Sequence, residues 1–114
     1  MANNNTQVVE IDILRSLAFA GINGSTFSPI GTPFTNPIRL ICITNNTDGD
    51  MFFSDDGINA KLFVPLHSFK LFDLNTNRTN RDQLFCLQSG TQISAKFSTA
   101  PSIGAVYVEA LWGQ

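Results

Sequence analysis

Residues 61–74 (KLFVPLHSFKLFDL) constrain the fold more than any other part of the chain. Their apolar side chains occupy both parities of an extended chain, which is typical of strands that are covered on both faces. Pro65 lies in the middle and lacks the N–H that a central sheet ladder requires, so we expect two strands that meet near residues 65–67. A helix is disfavoured because Pro65 would break it and the phenylalanines keep no 3.6-residue spacing. Strands that are buried on both faces need two packing partners, and we expect a second sheet against one face and another subunit against the other.

The rest of the chain reads as short extended segments separated by turns. The odd positions of residues 9–19 are apolar with one exception, Arg15, and we favour a strand over the alternative of a helix ending at Gly21. We interpret residues 21–36 as a long packed loop and residues 45–50, which contain Asp-Gly, as a turn. Further strands are predicted at residues 37–44, 51–54, 83–88, 91–97 and 105–112.

These patterns predict an all-β protein. About eight short strands with regular turn signals favour an antiparallel β-sandwich, jelly-roll-like or Ig-like in strand count. The 114 residues suffice for one domain, which we place at residues 8–114. The polar, Asn-rich residues 1–7 are expected to form a flexible amino-terminal arm.

The composition indicates a surface that is shared with partners. Hydrophobic residues make up 43% of the chain and charged residues 14%, against a usual charged share of about 25%. Ten of the twelve aromatic residues are phenylalanines, which are more readily buried in cores and interfaces than shown to water. The net charge is −2 without a basic stripe, so nucleic acid is not an expected partner.

The same sequence gives no sign of a membrane or of export. No apolar run approaches the ~18 residues of a membrane span. The first residues, MANNNTQ, carry neither a basic region nor an apolar core, so we expect synthesis in the cytoplasm without a secretory signal. Cys42 and Cys86 lie in apolar runs, and we expect buried thiols in preference to a disulfide.

Side chains suited to catalysis or metal binding are sparse. On an extended chain His67 and Ser68 point to opposite faces, and no glycine-flanked nucleophile elbow surrounds the serine. One histidine and two cysteines form no zinc pattern. We therefore expect no enzymatic activity, no cofactor and no metal.

For the aspartates and for Trp112 and Tyr107, a ligand-binding role is weighed against a structural one. A short strand of about 13 Å separates Asp48 and Asp50 from Asp55 and Asp56, so turn aspartates are favoured over a calcium site. Trp112 and Tyr107 are candidates for a sugar-stacking platform. Their odd spacing on one strand sends them to opposite faces, so packing is the favoured role for the tryptophan.

Three segments together carry a resemblance to a known group of proteins. They are ICITNNTDGDMFFSDDG (41–57), LFVPLHSFKLFDL (62–74), and GTQISAK with GAVYVEALWG toward the carboxyl end. They resemble small all-β virion proteins of tailed bacteriophages, of the kind found among head, head–tail and short-tail components. The resemblance implies a fold and a setting in the virion, and it carries over no catalytic residue.

We therefore expect a structural protein of a phage particle that forms homo-oligomers and docks to other virion proteins. The alternative, from another class, is a carbohydrate-binding β-sandwich. The residues predicted to lie at protein contacts are Phe27, Phe34, Phe63, Phe69 and Trp112.

Overall fold

Two antiparallel sheets form a β-sandwich in the computed structural model, which describes residues 9–74 and 87–113. The strands are β1 (Val9–Ile11), β2 (Arg15–Ala18), β3 (Ser28–Pro29), β4 (Ile38–Thr47), β5 (Met51–Ser54), β6 (Leu62–Val64), β7 (Ser68–Asp73), β8 (Ser94–Phe97) and β9 (Gly104–Gly113), with a 3₁₀ turn at Phe19–Gly21. The five-stranded sheet has the order β1-β9-β4-β7, with β2 also paired to β9, and the four-stranded sheet has the order β3-β8-β5-β6. The predicted all-β sandwich is confirmed.

The two long strands, β4 and β9, form the centre of the five-stranded sheet. Val106, Val108 and Ala110 of β9 face the core, and Tyr107, Glu109 and Leu111 lie on the opposite side of the strand. Strand β4 runs three residues beyond the predicted end, so the predicted turn at residues 45–50 is wrong in its first half. The polar Asn45 and Thr47 stay inside because their side chains bond to each other and to the Gly49 carbonyl.

The proline-containing stretch divides as expected. Strand β6 belongs to the four-stranded sheet and β7 to the five-stranded sheet, so the chain crosses between sheets at Pro65. The crossing turn holds His67 at a φ of 52°, in the left-handed region. Within the described residues only the inward side of this stretch is covered, since Val64 is buried while Phe69 and Leu71 are exposed.

The first predicted strand is interrupted, and Arg15 explains why. It is 4% exposed, and its guanidinium donates to the carbonyl oxygens of Thr32 (2.6 Å), Ile13 (3.0 Å) and Pro33 (3.3 Å) and to the Asp12 carboxylate (3.0 Å). Both strands pair with β9, but the register shifts by one residue between Ile11, opposite Leu111, and Arg15, opposite the buried Val108. This shift places the Arg15 side chain on the core side of the sheet. A strand is thus confirmed over the alternative of a helix.

The core lies between the sheets and includes three residues of the long loop. Its buried apolar side chains are Ile22, Ile30, Phe34, Ile38, Ile41, Ile43, Met51, Phe53, Val64, Ile93, Ala95, Val106, Val108 and Ala110. The loop at residues 21–36 is packed down, as predicted, and contains the two-residue strand β3. The predicted arm at residues 1–7, Cys86 and most of the predicted strand 83–88 lie outside the described residues.

Candidate protein-interaction surface

The five-stranded sheet has a side that points away from the core, which we call the outer face. Strand pairing aligns its side chains in three rows, because directly opposed residues of antiparallel strands share a face. The rows are Phe69–Thr44–Tyr107–Ser16, then Leu71–Cys42–Glu109, then Asp73–Leu40–Leu111–Ile11. Val9 lies two residues before Ile11 on β1, opposite Gly113, and has the same parity, so its side chain also lies on the outer face.

The outer face is apolar and open to solvent. Ile11 is 84% exposed, Phe69 64%, Val9 59% and Leu71 56%. Between these exposed residues lie Leu40, Cys42, Tyr107 and Leu111, all partly exposed. Single exposed apolar residues are ordinary on protein surfaces, whereas a large exposed apolar patch is typical of a surface that binds a protein, a membrane or another ligand.

The charges within the rows of this face are acidic. Glu109 lies in the middle row and Asp73 at the end of the third row, and both are exposed. Arg39, at the bulge of β4, lines a surface pocket with Leu40, Asp73 and Leu111 at that end of the face. Among the described residues, no basic residue is aligned with Glu109 in the middle row.

The four-stranded sheet carries a smaller aromatic row on its own outward side. Phe52 pairs with Phe63 on one side and with Lys96 on the other. The Phe52 and Phe63 rings are 5.5 Å apart and tilted by 55°. The Lys96 ammonium lies 4.9 Å from the centre of the Phe27 ring, a cation–π contact.

The five predicted contact residues fall in different places. Phe69 lies on the outer face, while Phe27 and Phe63 belong to the aromatic row of the other sheet. Phe34 is 2% exposed and packs under the Arg15 guanidinium, so its placement at a surface contact is corrected to the core. Trp112 has core parity on β9 and packs against the core from its edge, yet it is partly exposed and lines a surface pocket with Val9, Leu40 and Leu111, so its role at a contact stays a prediction.

Several outer-face residues were missed by the sequence interpretation. The sequence pattern placed Ile11 in a strand of alternating polarity and Leu71 in a strand expected to be covered on both faces. It identified neither residue as a protein-contact residue. The alternation of β7 does put Leu71 on the same side as Phe69, which was an available signal. The alignment with Cys42, Tyr107 and Leu111 was not available, because pairing between distant strands cannot be read from one sequence.

The aspartates at the two ends of β5 are engaged in local hydrogen bonds. Asp48 accepts the Ser102 N–H (2.7 Å) and the Ser102 hydroxyl, and these bonds hold the pKa of Asp48 below its usual value. Asp50 accepts the Leu66 N–H (3.0 Å). In the described part of the chain, no group of three or more potential metal ligands converges.

At the other end of β5, Asp56 organises the turn that follows. It accepts the backbone N–H groups of Asn59 and Ile58, both at 2.9 Å, and these bonds lower its pKa strongly. Lys61 lies 3.0 Å from Asp55 and 3.7 Å from Asp56, and this pairing, led by the hydrogen bond to Asp55, raises the pKa of Lys61. These charges close a hairpin, as turn aspartates are expected to do.

Comparison with known proteins adds no relative: no protein-family model, curated protein or solved structure matches the chain. Across residues 9–74 and 87–113, no helix is long and apolar enough to cross a bilayer.

Proposed function

We propose that the chain is a non-enzymatic structural protein of a tailed-phage particle, which assembles by burying its outer face against protein. The observation that carries the proposal is the exposure of Phe69 and Leu71 at one edge of this sheet face and of Ile11 at the other, with the partly exposed Leu40 and Leu111 between them. Burial of such side chains is the main favourable term in most protein–protein association. A sheet with one open apolar face therefore gains free energy by finding cover.

The charge of the outer face favours protein as the covering partner. Asp73 and Glu109 lie in its rows, Arg39 alone adds a basic charge beside the third row, and the whole chain has a net charge of −2. Nucleic-acid phosphates and anionic lipid surfaces both require basic residues at the contact. The proposed partners are accordingly further copies of the chain and other virion proteins.

The phage setting rests on the resemblance of the three segments described above. They include β4, β5, β7 and β9, which build the outer face and the core behind it. The proposed location is the virion, with synthesis in the cytoplasm of the host.

The carbohydrate-binding alternative has less geometric support. Trp112 packs toward the core and Tyr107 lies on the outer face, so they do not form one platform. The Phe52 and Phe63 rings are tilted by 55° and offer no flat pair for stacking on a sugar.

The proposal is tested on purified particles of the phage that encodes the chain. We expect mass spectrometry to detect the chain in the particles, and electron cryomicroscopy to locate the sandwich with its outer face against protein density. A matched pair of variants sharpens the test: Leu71→Ser should reduce incorporation, whereas Ile58→Ser, exposed on the loop after β5, should not. Particles that lack the chain, or that hold it with the outer face in solvent, contradict the proposal.

A further inference from the structure

We infer that the occupant of the outer face is a second copy of this chain, packed face to face, and that Glu109 limits the affinity of the pair. This inference rests on the proposed function, because it names the partner of the same surface. Three properties of the face support it: its area, the order of its rows and the position of its one central charge.

The area suits a weak pair of copies. The sheet is four strand positions wide, with ten residues each in β4 and β9, six in β7, three in β1 and four in β2. At about 4.8 Å between strands and about 3.3 Å per residue, these strands cover about 500 Å² before side-chain relief is added. Standard interfaces bury about 800 Å² per partner and weak, transient ones less than about 600 Å², so one copy of the face covers another in a weak contact.

The rows are self-complementary about one axis. A two-fold axis parallel to the strands, between β4 and β9, lays each row over the same row of the second copy with the strand order reversed. Leu40 then meets Leu111 of the second copy, and Thr44 meets its Tyr107. Sandwich sheets pack in this aligned way, with strand directions within about 30° of each other.

Glu109 discriminates between the possible axes. A two-fold axis perpendicular to the strands through the middle row would stack Glu109 on Glu109 of the second copy, which places two carboxylates together. The axis parallel to the strands places Glu109 over Cys42 instead, because these two residues are paired within the row. The parallel axis is therefore the arrangement that we propose.

The same residue weakens the pair. The proposed axis lays Cys42 of the second copy over Glu109, and no described basic residue is aligned in the middle row, so the Glu109 carboxylate loses water on association without gaining an opposite charge beside it. Assembly is then reversible, and it occurs where the local concentration of the chain is high.

The test is sedimentation equilibrium of the full chain from about 1 to about 300 µM, a range suited to weak dimers. We expect a monomer–dimer equilibrium in the unmodified protein. Leu71→Ser should weaken dimerisation by about 30-fold, since the symmetric pair loses two half-exposed leucines. Glu109→Gln should strengthen it by about tenfold, and Ile58→Ser, 78% exposed but off the face, should leave it unchanged.

Three results would overturn the inference. A protein that stays monomeric to the highest concentration, a Glu109→Gln variant that dimerises less well, or an Ile58→Ser effect equal to that of Leu71→Ser would each do so. If the chain is monomeric but sits in particles with its outer face against a different protein, the proposed function survives and the identity of the occupant is wrong. If the chain is absent from particles yet dimerises as described, the pairing stands and the virion role is wrong.

Discussion

Replacement of Arg15 by methionine tests how the long loop is held to the sheet. The guanidinium donates to three carbonyl oxygens and to Asp12, whose side chain is 12% exposed, and it lies 4.5 Å above the centre of the Phe34 ring. Arg15→Met keeps most of the side-chain volume, but it removes the donor of the Thr32 carbonyl and leaves the Asp12 carboxylate with the Ile13 N–H and without its cation.

The magnitude follows from this loss of partners. Removing one member of a buried, hydrogen-bonded ion pair costs about 3–5 kcal/mol, and we expect about 4 kcal/mol for Arg15→Met. Domains of this size have a free energy of unfolding of about 5–15 kcal/mol, so the variant should fold but be markedly less stable. Arg15→Lys, which keeps the charge without the fork of donors, should lose about half as much.

The assay is urea unfolding followed by tryptophan fluorescence and by circular dichroism, with the slope m fitted for each variant. With m of about 2 kcal/mol/M, the urea concentration at the midpoint of unfolding should fall by about 2 M. Lys70→Gln, at an exposed position of β7, provides the control for loss of a positive charge and should change stability by less than about 0.5 kcal/mol. An Arg15→Met variant as stable as this control refutes the reasoning.

Three further predictions concern the turns and the acid limb of stability. His67→Asn should raise the free energy of unfolding by up to about 1 kcal/mol in urea titrations, because His67 has a φ of 52° and asparagine tolerates that region better; a loss of stability contradicts this. Gly104→Ala should cost more than about 3 kcal/mol, because Gly104 has a φ of 96° and an added Cβ would overlap the Asn46 carbonyl oxygen; thermal unfolding at an unchanged midpoint contradicts it. The pKa of Asp48 is lowered in the folded protein, so this residue adds stability that is present above its ordinary pKa of 3.8 and is lost as the pH falls below that value. Asp48→Asn should therefore make the free energy of unfolding decline less steeply with acid. An unchanged pH profile would exclude the Asp48–Ser102 contact as a source of that decline.

The parts of the fold set by local pattern were predictable. Met51–Ser54 lies where the sequence placed it, between two Asp-rich turns, and Pro65 marks the boundary between two strands because a proline cannot stay in a central ladder. The alternation of residues 105–112 predicts a strand with two distinct sides, and β9 has them. In each case the deciding interaction lies within a few residues along the chain.

The parts that depend on distant contacts were not predictable. Asn45 and Thr47 read as turn residues, and they remain in a strand because the Gly49 and Val64 carbonyls accept from the Asn45 amide. Phe34 reads as a loop aromatic near a surface, and it is buried because Arg15 anchors the loop above it. The outer face likewise exists only after β1, β4, β7 and β9 are placed side by side.

The most direct test of the central claim, that the outer face is covered by another copy, is the alkylation rate of Cys42. This thiol lies in the middle row between Leu71 and Glu109 and is partly exposed. Replacing Cys86, the other cysteine of the chain, by serine makes Cys42 the single reactive thiol. The account predicts a rate that falls as protein concentration passes through the dimerisation range, and a rate that stays at its dilute value when Leu71→Ser is added. A rate independent of concentration in the Cys86→Ser protein contradicts the account.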